Sequence, residues 1–127
     1  MKCLMPDLMV NDVIKTVAFY RDFLGFRVLR VFPETGVPAW ALVQKGNVEI
    51  MFQEREGLIE EYSLPPFEFL GGSFVLYMVV PDLDAFYEAI KSNGQIKIVR
   101  DMHGAEYGAQ RFAIEDCNGY VLVFQDK

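Results

Sequence analysis

A catalyst needs groups that move protons, attack carbon or hold a metal, and this chain is poor in them. His103 is its one histidine, set in Asp101-Met102-His103-Gly104. It reads as an exposed loop residue, with general-base duty the lesser alternative. A zinc, iron or nickel centre needs three or four N, O or S ligands converging on a point, and a two-histidine, one-carboxylate iron site cannot be built in a chain with one histidine. Cys3 and Cys117 lie far apart and form no CxxC pair, so they read as ordinary thiols of a reducing compartment. No serine or cysteine stands in a context that marks an activated nucleophile. Walker and Rossmann glycine patterns are absent, Gly71-Gly72 being a lone pair in a connection. What remains is carboxylate. A site built from Glu49 and Asp7 stays open, but oxygen alone holds transition metals weakly.

The rest of the composition bounds the class of protein. A length of 127 residues fits one domain, or two small halves sharing a core. Hydrophobic content of 52% and aromatic content of 14% mark a packed globular chain rather than a disordered one. The net charge of −6 disfavours nucleic acid, which wants clustered Lys and Arg, and mildly favours a cationic small molecule. No apolar run is long enough for a membrane span, and Met1-Lys2-Cys3-Leu4-Met5-Pro6-Asp7 shows no signal-peptide core, so the expected address is the cytoplasm.

The elements that must position any site come in two similar sets. Leu4–Val10 reads as a strand, with Pro6 tolerated at an edge or strand start. Asn11-Asp12 offers a helix cap, and Val13, Val17, Tyr20 and Leu24 recur at helical spacing before Gly25. Phe26–Phe32 reads as a strand, and Trp40–Gln44 with Val48–Gln53 as a hairpin about Lys45-Gly46-Asn47. Glu54–Gly72, with five glutamates, Pro65-Pro66 and Gly71-Gly72, reads as a long connection with one helical turn at Leu58–Tyr62. The first pattern then returns: strand Phe74–Val80, helix Leu83–Asn93, and strands Gln95–Asp101, Gln110–Glu115 and Tyr120–Gln125. Asp12 matches Asp82 at an offset of 70, Gly25 matches Gly94 at 69, and Phe52 matches Phe124 at 72. Asn118-Gly119 is expected to supply the positive φ values of the closing hairpin. The expected fold class is α+β: two tandem βαβββ modules, 4–53 and 73–126, joined by a linker over 54–72. Each half exposes one apolar sheet face, so the halves are expected to pack as one curved mixed-sheet trough with helices outside.

This duplicated pattern resembles the vicinal oxygen chelate superfamily of glyoxalases, bleomycin-resistance proteins and extradiol dioxygenases. The resemblance is carried by Leu8-Met-Val-Asn-Asp-Val13, Phe19-Tyr20-Arg-Asp-Phe-Leu-Gly-Phe26, Leu76-Tyr-Met-Val-Val-Pro-Asp-Leu83 and the closing stretch Tyr107-Gly108…Asp116-Cys-Asn-Gly119…Val123-Phe124. Metal-dependent members place one ligand on each of four inner strands. Here those positions match Met5, Glu49 (or Met51 if the register slips by two), the neighbourhood of Val75, and Val123. At most Glu49 offers a hard oxygen. The resemblance therefore implies no metal cofactor, with a divalent ion on Glu49 as the alternative.

If those positions are apolar, the trough suits a flat or amphiphilic organic molecule, oriented by a few acids. The expected ligand-binding residues are Met5, Met9, Trp40, Glu49, Met51, Phe67, Val75, Tyr77, Tyr107 and Val123, with Asp7, Gln53 and Gln125 as sparse polar points. The linker glutamates read as a solvated face, with attraction of a cation as the lesser alternative. The leading function is a metal-independent binding protein of the bleomycin-resistance type that sequesters an aromatic or cationic compound. The alternative is a glyoxalase-like lyase, isomerase or dioxygenase using Glu49. The expected partners are that small molecule and a second copy of the chain, since the resemblance and the exposed strand edges favour a homodimer.

Overall fold

The computed structural model describes residues 1–63, 74–105 and 108–127. The chain is mixed α+β and divides into two compact units, Met1–Pro66 and Phe67–Lys127. The first unit runs β1 (Asp7–Val10), α1 (Val13–Asp22), β2 (Arg27–Phe32), β3 (Trp40–Lys45), β4 (Val48–Glu54) and α2 (Arg55–Tyr62). Its open sheet has the order β1-β4-β3-β2, with β1 parallel to β4 and the other pairs antiparallel. The second unit repeats the scheme with β5 (Leu76–Val79), α3 (Leu83–Ser92), β6 (Lys97–Gly104), β7 (Gln110–Glu115) and β8 (Val121–Gln125), in the order β5-β8-β7-β6.

The two helices that follow the first strand of each unit start in the same way. Asp12 accepts the Lys15 amide at 3.0 Å and Asp82 accepts the Ala85 amide at 3.2 Å, each satisfying a backbone donor that the first helical turn leaves free. Each helix then lays aromatic rings on one sheet face. Tyr20 meets Phe52 at 4.7 Å between centroids, while Phe86 meets Phe124 at 4.8 Å and Tyr87 meets Phe112 at 4.8 Å. Because strand side chains alternate, the buried set Leu8, Val10, Ile50 and Phe52 beneath α1 forces Asp7, Met9, Glu49, Met51 and Gln53 onto the opposite face, where they are half-buried. The duplication reaches the irregularities too. The pairing register slips between Val28 and Arg30 and again between Ile98 and Arg100, at the same offset of 70 as the two capping aspartates.

Several local expectations are corrected. The first strand begins at Asp7, not Leu4: the Pro6 carbonyl accepts the Met51 amide at 2.8 Å, but proline has no N–H with which to extend the ladder. The fifth strand likewise begins at Leu76. Met5 and Val75 thus precede the strands on which they were expected. Arg55–Tyr62 is a two-turn helix rather than a single turn, because Glu54 accepts the Glu56 and Gly57 amides at 3.0 and 3.1 Å and Leu58 is buried. His103 lies on β6 opposite Arg111, not in a loop, because the second register slip in that strand lets pairing continue to Gly104. Its Nδ1 donates to the Asp101 carbonyl at 2.9 Å. In the last hairpin Gly119 alone takes a positive φ, +91°. The turn is held instead by buried Asp116, whose carboxylate accepts the Asn118 and Tyr120 amides at 2.8 and 2.9 Å. No helix among the described residues is long and apolar enough to cross a membrane.

Candidate functional site

The face of the first sheet opposite α1 is ordered in rows by its register. Asp7, Met51, Leu42 and Arg30 form one row from the β1 edge to the β2 edge, and Met9, Gln53, Trp40 and Phe32 form the next. Arg30 reaches this face only because of the slip at Leu29; strict alternation from Arg27 would turn it to the helix side. Helix α2 follows β4 and packs against β4 and β1, walling one end of the rows. Between them lies a cleft of about 670 Å³, within the range of about 300–1,000 Å³ usual for small-molecule sites. Trp40, Phe32 and Tyr62 supply aromatic surface, Met51 an apolar floor, and Asp7, Glu61 and Arg30 the principal charges.

The electrostatics of the cleft are uneven. Asp7 is half-buried, and its Oδ1 is shut off from solvent with no hydrogen-bond partner among the described residues. That burial, followed by the repulsion of Glu61, pushes its carboxyl up to about 6. Glu61 goes the other way. Hydrogen bonds from Tyr62 and then Gln53 (Nε2 to Oε2, 3.1 Å) hold it below the ordinary carboxylate range, so it keeps its charge. The Tyr62 hydroxyl is pushed up in turn, first by its bond to Glu61. Burial lowers Lys45, whose Nζ donates to the Leu24 carbonyl at 2.7 Å, away from the cleft lining.

Of the residues expected to bind ligand, Trp40 and Met51 line this cleft, and Met9 sits on the same face opposite Gln53. Glu49 shares that face outside the cleft lining. Its carboxylate accepts from Gln44 at 3.1 Å, and Gln44 accepts from Arg27 at 2.9 Å. Met5 is exposed ahead of β1. In the second unit, Tyr77 and Val123 are register partners. Tyr77 is 54% exposed with the Arg111 guanidinium 5.6 Å over its ring, whereas Val123 is 7% exposed and Val75, ahead of β5, is 46% exposed. Phe67 and Tyr107 lie outside the described residues. Sequence reasoning missed Arg30 and Phe32 as cleft-lining residues, and reached Glu61 only through the lesser reading of the linker glutamates. The signal for Arg30 was the repeat itself, since Leu29-Arg30 and Val99-Arg100 stand at the common offset. Glu61 was hidden because a glutamate-rich segment reads as solvent-facing until its helix is seen against the sheet.

The four positions matched to a metal site offer one thioether, one carboxylate and two valine side chains, and the carboxylate is already engaged by Gln44. That donor set does not fit a divalent metal. Among the described residues no three His, Cys, Asp or Glu side chains group to hold an ion.

Two four-stranded open sheets, each built β-α-β-β-β, define a class of fold that solved structures share. TioX from Micromonospora sp. ML1 superposes with a TM-score of 0.74 at 20% identity, over 96% of this chain and 95% of that one. The bleomycin resistance determinant encoded on the transposon Tn5 gives 0.72 at 23% identity, over 100% and 98%. A glyoxalase/bleomycin resistance protein/dioxygenase family enzyme from Burkholderia phytofirmans PsJN gives 0.73 at 18%, over 95% and 94%. At such identities the likeness is one of fold. No curated protein matches the sequence. Residues 3–124 match the profile of the Glyoxalase/Bleomycin resistance protein/Dioxygenase superfamily, and the chain belongs to that superfamily.

Proposed function

We propose that this chain is a metal-independent binding protein of the bleomycin-resistance type, which sequesters an aromatic or cationic small molecule. The observation that carries the proposal is the first unit's cleft: aromatic walls, an apolar floor and an unpartnered buried carboxylate oxygen in one volume of drug size. A planar ring buried there gains from apolar contact and from stacking on Trp40. The donor set at the family's metal positions supports a binding role over metal catalysis.

Trp40 is the chain's one tryptophan, so its fluorescence reports occupancy of the cleft directly. Titration with planar aromatic cations is expected to quench it saturably, and Trp40→Ala should weaken the same compounds about tenfold or more in calorimetry. Uniform indifference across a drug-like panel would count against the proposal. Turnover of thiol-conjugate or catechol substrates by metal-loaded protein, lost in Glu49→Gln, would overturn it in favour of the enzymatic alternative. We also propose a homodimer, supported by the exposed apolar side chains of β5, Tyr77 and Val79. A monomer in sedimentation at micromolar concentration would remove that part.

A further inference from the structure

Asp7 is the one carboxylate at the cleft with a buried, unpartnered oxygen. Leaving a buried acceptor without a donor is costly, and in this fold nothing among the described residues supplies one. The charges around it are arranged by edge. Glu61 and the Tyr62 hydroxyl face Asp7 from α2, and Gln53 on β4 binds Glu61 rather than Asp7. The Glu54 carboxylate is committed to the α2 amides. Arg30 stands three strands away in the same row, roughly 14 Å at a spacing of about 4.8 Å, with Glu34 also lining that cleft. The β1 edge thus carries two carboxylates and, among the described residues lining the cleft, no cation, while the β2 side carries Arg30 together with Glu34, with Met51 and Leu42 between the two. A ligand whose positive end lies at β1 meets Asp7 and Glu61 and avoids Arg30; in the reverse orientation it meets Arg30 and Glu34, whose charges offset.

Resting on the reading of this cleft as a small-molecule site, we propose that Asp7 anchors the cationic group of a planar aromatic ligand, and does so only as the carboxylate. The ring system then lies over Met51 towards Trp40. Since burial and Glu61 bring the Asp7 proton into the range near pH 6, capture is proton-linked: the bound cation favours the ionised acid, so acidification releases the ligand.

Calorimetry on the whole chain with two three-ring probes tests this between pH 5 and 8. N-methylacridinium is permanently charged, and N-methylacridone (hereafter acridone) is a neutral counterpart of similar size with no N–H to donate to Asp7. The wild type is expected to bind the cation about tenfold tighter than acridone at pH 7.5, and to lose about fivefold or more of that affinity by pH 5, with acridone unmoved. Asp7→Asn should remove the pH dependence and most of the tenfold preference, leaving only what Glu61 supplies. Unchanged acridone binding by this variant shows that the cleft is intact. Glu61→Gln should keep the dependence but move its midpoint to lower pH, since a charge that raises the Asp7 proton affinity is gone. Equal, pH-independent binding of both probes, or an Asp7→Asn protein that keeps the full tenfold preference, overturns the anchor while leaving the cleft reading standing. Failure of both probes to bind overturns the two together.

Discussion

Asp7, the proposed anchor, works against the fold that holds it. An acid held above its ordinary range carries a proton more tightly in the folded protein than in the unfolded chain. Its contribution to stability is therefore present at low pH and is lost as pH rises from the ordinary carboxylate value through about 6. Asp7→Asn removes the ionisation and should raise the melting temperature at pH 7.5, by an amount that shrinks towards zero below pH 4. The half-exposed position tempers the size, to about 1 kcal/mol at most once solvent screening is allowed for. Melting curves of the two proteins across pH 4 to 8 check the sign; a gap that widens on acidification would contradict it. Ligand-free stability should thus rise where the proposed anchor is removed, a trade of stability against binding.

At the scale of the element, α2 is the piece that turns a sheet face into a cleft. It is short and mostly polar, so its helical form rests on the Glu54 cap and the burial of Leu58. Glu54→Ala should cost the helix about 1 kcal/mol and speed amide exchange at Glu56 and Gly57, with little change in the global melt. Gly57→Ala should do the reverse. A methyl there meets the Glu54 carboxylate at 3.7 Å, an ordinary contact, and alanine favours the helix by about 1 kcal/mol over glycine. Slower exchange across Arg55–Tyr62 in that variant would verify it; faster exchange would show that the helix is held by something other than its own propensity.

For the whole molecule, the residues lining the cleft all fall within Met1–Pro66, while the second unit keeps its own aromatic core of Phe112, Phe124 and Phe86. A mild lesion in that second core separates stability from binding. Ile114 is fully buried there, and Ile114→Val should destabilise by about 0.5–1.5 kcal/mol in denaturant unfolding. N-methylacridinium affinity should stay at the wild-type value. A parallel loss of affinity would mean that the binding surface draws on both units.

The sequence by itself determined the repeat, because capping aspartates, helical apolar spacing and alternating strands are local signals that this chain writes twice, at Asp12 and Asp82 and at Phe52 and Phe124. It also determined what kind of donor each metal-site position offers, since side-chain chemistry does not depend on folding: Val123 cannot ligate wherever it lies. The tertiary structure alone decided which polar groups share a cleft. The slip at Leu29 reverses the parity that brings Arg30 to the open face, and a one-residue shift is invisible to a period-two pattern. Glu61 meets Asp7 across more than fifty residues of chain because α2 folds back on β1, a contact made by packing and not by spacing. The charge pattern on which the proposed preference for a cation rests comes from that packing.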